Sequence, residues 1–171
     1  MCIRDRLKIL QENDVTDEYV NWFHQKEVIL FSDNQYKNFT LEGQKEYVKS
    51  KLNDEACNLY GIFHKSHHIG NIVLDNINTI HKRAEISYVI GNIDYWGKGV
   101  ASKAISEIIQ LARNKFHLNK LNAGVADKNE GSKKVLIKNG FKIEGKKKNH
   151  LFYNNQWMDQ LDFELILNEK I

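Results

Sequence analysis

One stretch of this chain constrains its fold more than any other: a turn with two glycines that leads directly into an amphipathic helix. Gly97 and Gly99 lie in the turn, and the apolar residues after them recur at steps of three or four, as in a helix packed on a core. Those apolar residues are Val100, Ala104, Ile105, Ile108, Ile109, Ala112 and Phe116. The spacing predicts a helix over residues 98–116 whose first turn is held in a fixed position.

The start of this helix is a candidate anion site. The first turn of a helix leaves backbone N–H groups without intrahelical partners, and glycines let an oxyanion approach them without meeting a Cβ atom. A diphosphate would fit there. A turn-to-helix junction that binds no ligand would also explain these glycines. Their spacing matches neither of the phosphate-binding patterns GxGxxG and GxxxxGK[ST].

Composition bounds the class of protein. The chain has 171 residues, 42% hydrophobic and 27% charged, which is typical of one globular domain, and we assign that domain to residues 6–171. Residues 1–5 fit the strand pattern poorly, so we predict that the domain begins at residue 6. The sequence has no apolar run of roughly 20 residues and no signal-peptide core, so we expect a cytoplasmic protein without a membrane partner.

Charge and metal-ligand patterns exclude further classes. The net charge of +3 is too small to predict a nucleic-acid partner. The two cysteines, Cys2 and Cys57, form neither a disulfide framework nor a thiolate cage. His64, His67 and His68 lie across a predicted hairpin turn and do not have the converging geometry of a metal site. We therefore predict no metal.

The order of predicted elements indicates an α+β fold with helices on both faces of a sheet. Strands are predicted over residues 6–10, 58–64, 69–74, 83–90, 120–126, 141–144 and 158–167, the last two around a turn at Asn154 and Asn155. Besides the helix at 98–116, helices are predicted from Thr16, from Thr40 to about residue 52, and over 129–139 before Gly140.

Four motifs occur in an order that identifies a family. They are Arg6-Leu7 with Asp14 downstream, AEISYVI at 84–90, YWGKG at 95–99, and NEGS at 129–132 followed by NGF at 139–141. The chain resembles the GNAT superfamily of N-acyltransferases, in the branch of the ribosomal-protein N-terminal acetyltransferases. The family signature [Q/R]-x-x-G-x-[G/A] matches residues 96–101, except that Trp96 stands at its first position. The resemblance implies a mixed, mostly antiparallel sheet of six to seven strands.

The same resemblance implies acetyl-CoA as the acyl donor. Its pyrophosphate would bind main-chain N–H groups of the turn and helix start, while Trp96 would shape the loop. The residues concerned are Gly97, Lys98, Gly99, Val100, Ala101 and Ser102. The main chain of Val89 and Ile90 would bond the pantetheine arm as an added strand. Asn129 would also bond the pantetheine and Ser132 would lie near the sulfur, although helix capping explains both residues as well.

The resemblance also places the acetyl group against the strand that carries Glu85. An alkylammonium has a pKa near ~10.4, so a base must remove a proton before the amine attacks. Strand alternation puts Glu85, Ser87 and Val89 on one face, and we predict Glu85 as the base, acting directly or through water. A backbone N–H near Val89 would stabilise the oxyanion. The alternative for Glu85 is an exposed carboxylate paired with a neighbouring cation.

The general acid is left open. Many relatives carry a tyrosine at the position that Leu136 occupies here. Ser132, Tyr153 or solvent could protonate the leaving thiolate, which is a fair leaving group with a pKa near ~8.5. We predict Ser132 as a second catalytic residue.

The function implied is transfer of acetyl to a primary amine of a small molecule or a peptide. We favour an amino sugar nucleotide of surface-polysaccharide synthesis, with a protein N-terminus or a polyamine as alternatives. The aromatic residues expected over the acceptor site are Trp22, Phe23, Phe31, Tyr36 and Phe39. A CoA-binding module without catalysis is the hypothesis from another class. The chain could be a monomer or a homodimer.

Overall fold

The computed structural model describes residues 6–168, so residues 1–5 and the last three residues of the predicted domain, 169–171, lie outside the described part. Seven strands form one sheet in the order β1-β2-β3-β4-β5-β7-β6. The strands are β1 Arg6–Ile9, β2 Asn58–His64, β3 His67–Asn78, β4 Arg83–Ile90, β5 Lys120–Ala126, β6 Lys142–Tyr153 and β7 Gln156–Ile166. Every neighbouring pair is antiparallel except β4 and β5. This confirms the predicted fold class.

Five α-helices cover the two faces of the sheet. They are α1 Asp17–Trp22, α2 Lys26–Ile29, α3 Leu41–Leu52, α4 Val100–Asn114 and α5 Glu130–Lys138. The predicted helix starts at Thr16 and Thr40 are present, and both side chains accept backbone N–H groups as N-caps of α1 and α3. Gly140 follows α5 with a φ of 89°, a left-handed conformation that suits glycine. Within residues 6–168, none of the helices has the length and apolar character of a membrane span.

Two hydrophobic clusters hold these layers together. The apolar stripe of α4 packs with α5 against one face of the sheet, around Ile105, Ile108 and Phe163. On the other face, α1 and α3 pack through Tyr19, Trp22 and Val48. Burying a side chain of this size contributes roughly 1.5–3 kcal/mol, so both helix layers are fixed to the sheet.

The prediction of a strand over residues 141–144 was wrong in extent. β6 runs from Lys142 to Tyr153, and most of its side chains are exposed, so it lacks the apolar alternation on which the prediction relied. Backbone pairing to β7 holds it instead, with ion pairs at Lys146–Asp159 (2.7 Å) and Lys147–Asp162 (2.9 Å). The hairpin turn at 154–155 is confirmed, with both asparagines at positive φ.

The parallel pair β4–β5 opens part-way along its length. Only the first three residues of β4, Arg83 to Glu85, pair with β5. On its other edge β4 stays paired with β3 as far as Ile90. The β5-facing edge of β4 is therefore unpaired from residue 86 to residue 90, and the sheet splits where α4 and α5 begin.

Candidate active site

A cavity of about 960 Å³ extends from this split in the sheet. Two groups of elements line it. The helix side comprises the end of β4, the turn at 95–99, the first turn of α4 and the start of α5. The aromatic side comprises residues of α1 to α3 and their connections, together with Leu59, Asn71 and Val73 of the sheet.

The turn of the helix side is built around the two predicted glycines. Gly97 and Gly99 have φ values of 70° and 79°, a backbone conformation that is strained for residues with a side chain. A Cβ at either position would meet nothing within 4 Å. Both glycines line the cavity. The indole Nε1 of Trp96 donates to the carbonyl of Ile90 at 2.7 Å, which ties the turn to the end of β4. Trp96 thus connects the turn to the strand before it.

The first turn of α4 presents main-chain donors to the cavity. Val100, Ala101 and Ser102 line it, and the turn contains no acidic residue that would repel an anion. The Ser102 hydroxyl accepts from Asn139 Nδ2 at 3.0 Å, so this side chain links α4 to α5. Lys98 does not line the cavity, and its ammonium lies 5.7 Å from the centre of the Tyr95 ring.

The open edge of β4 forms the second wall of the helix side. Val89 and Ile90 line the cavity in the stretch that β5 leaves unpaired. An extended ligand can hydrogen-bond to such an edge as an added strand does. The carbonyl of Ile90 is already occupied by Trp96, which the sequence did not indicate.

The start of α5 closes the helix side. The Asn129 side chain caps the helix by accepting the Ser132 N–H at 3.1 Å, and both residues also line the cavity, so capping and ligand contact are compatible. Lys134 and Lys138 line it too and were missed by the sequence analysis. Their spacing of four residues puts them on one face of α5, and only the position of the helix shows that this face borders the cavity.

Glu85 and Tyr153, which were considered for acid–base chemistry, and the Leu136 position all lie outside the cavity lining. Glu85 is exposed on β4 and is not among the lining residues, whereas Ser87, two residues further on the same strand face, is. Leu136 is fully buried in the core. The Tyr153 hydroxyl donates to Asp33 at 2.8 Å, outside the cavity lining, so the structure does not place it as an acid.

The aromatic side combines ring faces with few charges. Phe23 and Phe39 stack with ring centres 4.3 Å apart and line the cavity together with Phe31, as expected. Trp22 lies beneath them in the core, and Tyr36 is exposed and donates to the carbonyl of Phe152. These two residues therefore do not line the cavity.

Neutral polar groups lie on the inner wall of the aromatic side. Gln44 and Asn71 are only 4% and 5% exposed, and both line the cavity. Gln44 Nε2 donates to the Tyr19 hydroxyl at 2.8 Å, and His68 Nε2 contacts Asn71 Oδ1 at 2.7 Å. Burial raises the pKa of Tyr19 and lowers the pKa of His68, so both side chains are neutral at physiological pH.

Charged side chains are sparse across the cavity. Among the described residues, Glu27 is the one carboxylate that lines it, and Lys37, Lys134 and Lys138 are the cations. Lys134 and Lys138 belong to the helix side, so the aromatic side has one charge of each sign. The helix side therefore suits a polyanion with an extended arm, and the aromatic side suits a largely uncharged molecule.

Comparison with known proteins agrees with this geometry. Residues 4–142 match the sequence model of the acetyltransferase (GNAT) domain. The chain is 32% identical over 128 residues to the probable N-acetyltransferase YjcK of Bacillus subtilis, covering 71% of this chain and 70% of that protein. It is 30% identical over 109 residues to the putative ribosomal N-acetyltransferase YdaF of the same organism, covering 64% and 59%.

The fold has solved counterparts. The spermidine N-acetyltransferase of Vibrio cholerae, crystallised with CoA and spermine, superposes with a TM-score of 0.85 over 96% of each chain at 20% identity. The chain spans 55% to 59% of the length of three curated relatives, YdaF among them. The resemblance predicted from four ordered motifs is confirmed: this chain belongs to the GNAT acetyltransferase family.

Proposed function

We propose that this chain transfers the acetyl group of acetyl-CoA to a small primary amine with a hydroxylated, largely uncharged body, of which an amino sugar is the best example. The observation that carries the acceptor class is the aromatic side of the cavity. It offers ring faces, two buried carboxamides and a single carboxylate.

The helix side supports acetyl-CoA as the donor. Backbone N–H groups at the start of α4 would bind its pyrophosphate, because the two glycines leave them accessible. Lys134 and Lys138 would add positive charge beside the phosphates. The unpaired edge of β4 at Val89 would bond the pantetheine, which directs the thioester toward Ser132 and the middle of the cavity.

Proton removal from the amine is assigned to Glu85 through water. Glu85 is exposed and lies outside the lining, but Ser87 on the same strand face borders the cavity. A strand rises about 3.3 Å per residue, so the two positions are roughly 7 Å apart, a gap that one or two waters span. The neutral amine then attacks the acetyl carbonyl, and a backbone N–H near Val89 stabilises the oxyanion.

A Glu85→Gln variant tests this assignment. General-base catalysis typically contributes about 10²-fold or more, so we expect a loss of that order in kcat/KM at pH 7 with acetyl-CoA affinity unchanged. The loss should shrink as the pH rises and more of the amine is deprotonated in solution. A variant as fast as the wild type at pH 7 would remove Glu85 from the mechanism.

A polyamine is the competing acceptor, because relatives of this fold are named spermidine acetyltransferases. Aromatic faces can hold an ammonium group, and Glu27 can pair with one. A polyamine carries several cationic nitrogens, and Lys37 lies on the same side as the single carboxylate. Each further ammonium would have to be buried without an opposite charge, which is costly. The charge balance therefore favours one amine on an uncharged body.

Gln44 and Asn71 favour hydroxyl groups on that body. A buried carboxamide that borders a ligand site offers hydrogen bonds to neutral donors and acceptors, and it discriminates against ligands that leave it unpaired. A hydroxylated ring can also stack on the aromatic residues through its apolar face. An amino sugar combines these features.

An acceptor screen decides between these classes. Purified protein with acetyl-CoA would be offered amino sugars, amino sugar nucleotides, spermidine, spermine and a short peptide with a free N-terminus, and the release of CoA thiol would be measured. We expect amino sugars to give a kcat/KM at least tenfold above that of spermidine. The reverse order would overturn the acceptor class. Binding of acetyl-CoA without thiol release for any amine would favour the non-catalytic module.

A further inference from the structure

Leu136 occupies the position at which many relatives carry a tyrosine, so a different group has to protonate the departing thiolate. Leu136 is fully buried in the core with Ile105 and Phe163 and carries no proton to donate. Tyr153 is engaged by Asp33. A side chain that acts as the acid must therefore lie at another position of the cavity lining.

One tyrosine lies where the two walls of the helix side meet. Tyr88 is on β4, in the stretch that β5 leaves unpaired, and it is next in sequence to Val89. Its hydroxyl points to the start of α5, 3.5 Å from the carbonyl oxygen of Ser132. Both residues line the cavity. The hydroxyl thus stands between the edge expected to bind the pantetheine and the helix end expected to lie near the sulfur.

This hydroxyl is available to a ligand. A distance of 3.5 Å is at the outer limit of a hydrogen bond, so the contact with Ser132 is weak and easily exchanged. By contrast, the hydroxyl of Tyr19 is held by Gln44 at 2.8 Å. Burial raises the pKa of Tyr88, so the phenol keeps its proton at physiological pH.

We propose that Tyr88 is the general acid of the reaction, replacing the tyrosine that many relatives carry at the Leu136 position of α5. The inference rests on the proposed acetyl transfer. The amine nitrogen forms a bond to the acetyl carbon, the tetrahedral intermediate collapses, and the C–S bond breaks with its electron pair on sulfur. The Tyr88 proton moves to that sulfur. The nitrogen of the intermediate loses its second proton, which restores the phenol through water. The proton that Glu85 took from the ammonium group leaves to solvent, so the products are the amide, the free thiol and one proton.

Ser132 is the rival donor, and its chemistry makes it the weaker one. An alkyl hydroxyl is a much poorer acid than a phenol. The Ser132 N–H is also fixed by Asn129, which caps the helix, and this contact places Ser132 to orient the thioester. In this arrangement Tyr88 donates the proton, and Ser132 holds the sulfur within reach of it.

The test compares Tyr88→Phe with a matched control, Tyr60→Phe. Tyr60 is a buried tyrosine of β2. Its hydroxyl has no hydrogen-bond partner among residues 6–168, and the residue does not line the cavity, so the substitution removes the same atom from another part of the protein. Each protein is assayed with the best acceptor from the amine screen. The measurements are kcat, the KM for the amine, the Kd for acetyl-CoA by calorimetry, and the melting temperature.

We expect Tyr88→Phe to lower kcat by about 10²-fold while KM, Kd and melting temperature stay within the range of the control. A kcat within threefold of the wild type overturns the proposal. So does a fall in kcat accompanied by an equal loss of acetyl-CoA affinity or of thermal stability, because that pattern indicates a structural role. Absence of thiol release from the wild type itself would instead overturn the proposed function.

Discussion

The two sides of the cavity are built in different ways. The helix side consists mostly of main chain: an open strand edge, two glycines at positive φ and the first turn of a helix. The aromatic side consists of side chains from segments between residues 19 and 87. A wall of main chain tolerates changes in sequence as long as the turn and the split sheet remain. A wall of side chains changes its chemistry with each substitution. The helix side therefore suits a donor that the whole family uses, and the aromatic side suits an acceptor particular to this chain.

One contact joins the two sides. Gly91 follows β4, and a Cβ at this position would lie 1.9 Å from Cδ2 of Trp22 in α1. The end of the strand that borders the helix side is therefore pressed against the helix that carries the aromatic side. Disturbing this contact should affect both sides at once, whereas changes within either side should affect only one ligand.

The largest effect is expected for Gly91→Ala. The new methyl group cannot fit against the Trp22 ring, and overpacking of this kind costs about 3 kcal/mol of unfolding free energy. Urea denaturation measures the loss, and affinities for acetyl-CoA and for the acceptor should fall together. Gly131→Ala is the control, because its Cβ would meet nothing closer than 3.8 Å. Equal stabilities of the two variants would show that the contact with Trp22 is not tight.

The second-largest effect should be confined to the helix side of the cavity. Gly99→Ala places a Cβ at the anion site and forces a side chain into the left-handed region, so the Kd for acetyl-CoA should rise about tenfold. Gly140→Ala carries the same backbone cost, since its φ is 89°, but lies outside the cavity lining. Calorimetry should therefore find a weakened Kd only for Gly99→Ala. Equal losses in both variants would mean that global destabilisation explains the change.

A smaller effect should be confined to the acceptor. Gln44→Met keeps the length of the side chain but removes the carboxamide that holds the Tyr19 hydroxyl. The variant also loses the hydrogen bond that we expect between this carboxamide and a hydroxyl group of the acceptor. Such a bond is worth about 1 kcal/mol, so KM for a hydroxylated amine should rise roughly fivefold with the Kd for acetyl-CoA unchanged. An amine of the same shape without hydroxyl groups should lose less. Equal losses for both amines would exclude Gln44 as a specificity residue.

The smallest effect concerns pH. Burial lowers the pKa of His68, so the unfolded chain takes up a proton as the pH falls below 6.5 while the folded chain does not. The unfolding free energy should therefore fall between pH 7.5 and 5.5. His68→Gln should make this fall smaller, because the variant lacks the group that the unfolded chain protonates more readily than the folded chain does. Urea titrations at both pH values measure the difference.

Most of the helix side could be predicted, and most of the aromatic side could not. Gly97, Gly99 and Ser132, which we predicted at the donor site, line the cavity, and they could be found because short-range spacing determines a turn and a helix start. Lys98, in the same turn, does not, because the backbone directs its side chain outward over Tyr95. Gln44 and Asn71 were not identified, since nothing in their local sequence shows that α3 and β3 bring them to one wall.

The sequence by itself determined the α+β fold, the helix that follows the glycine turn and the family, because these depend on periodicity and on motifs within a few residues. Only the tertiary structure decided where β4 separates from β5, that Tyr88 faces the start of α5, and that Glu85 lies outside the cavity. Strand alternation gives the face of a residue but not how far along that face a cavity extends. That limit is set by the packing of α1, α3 and α5 on the sheet, which no local pattern contains.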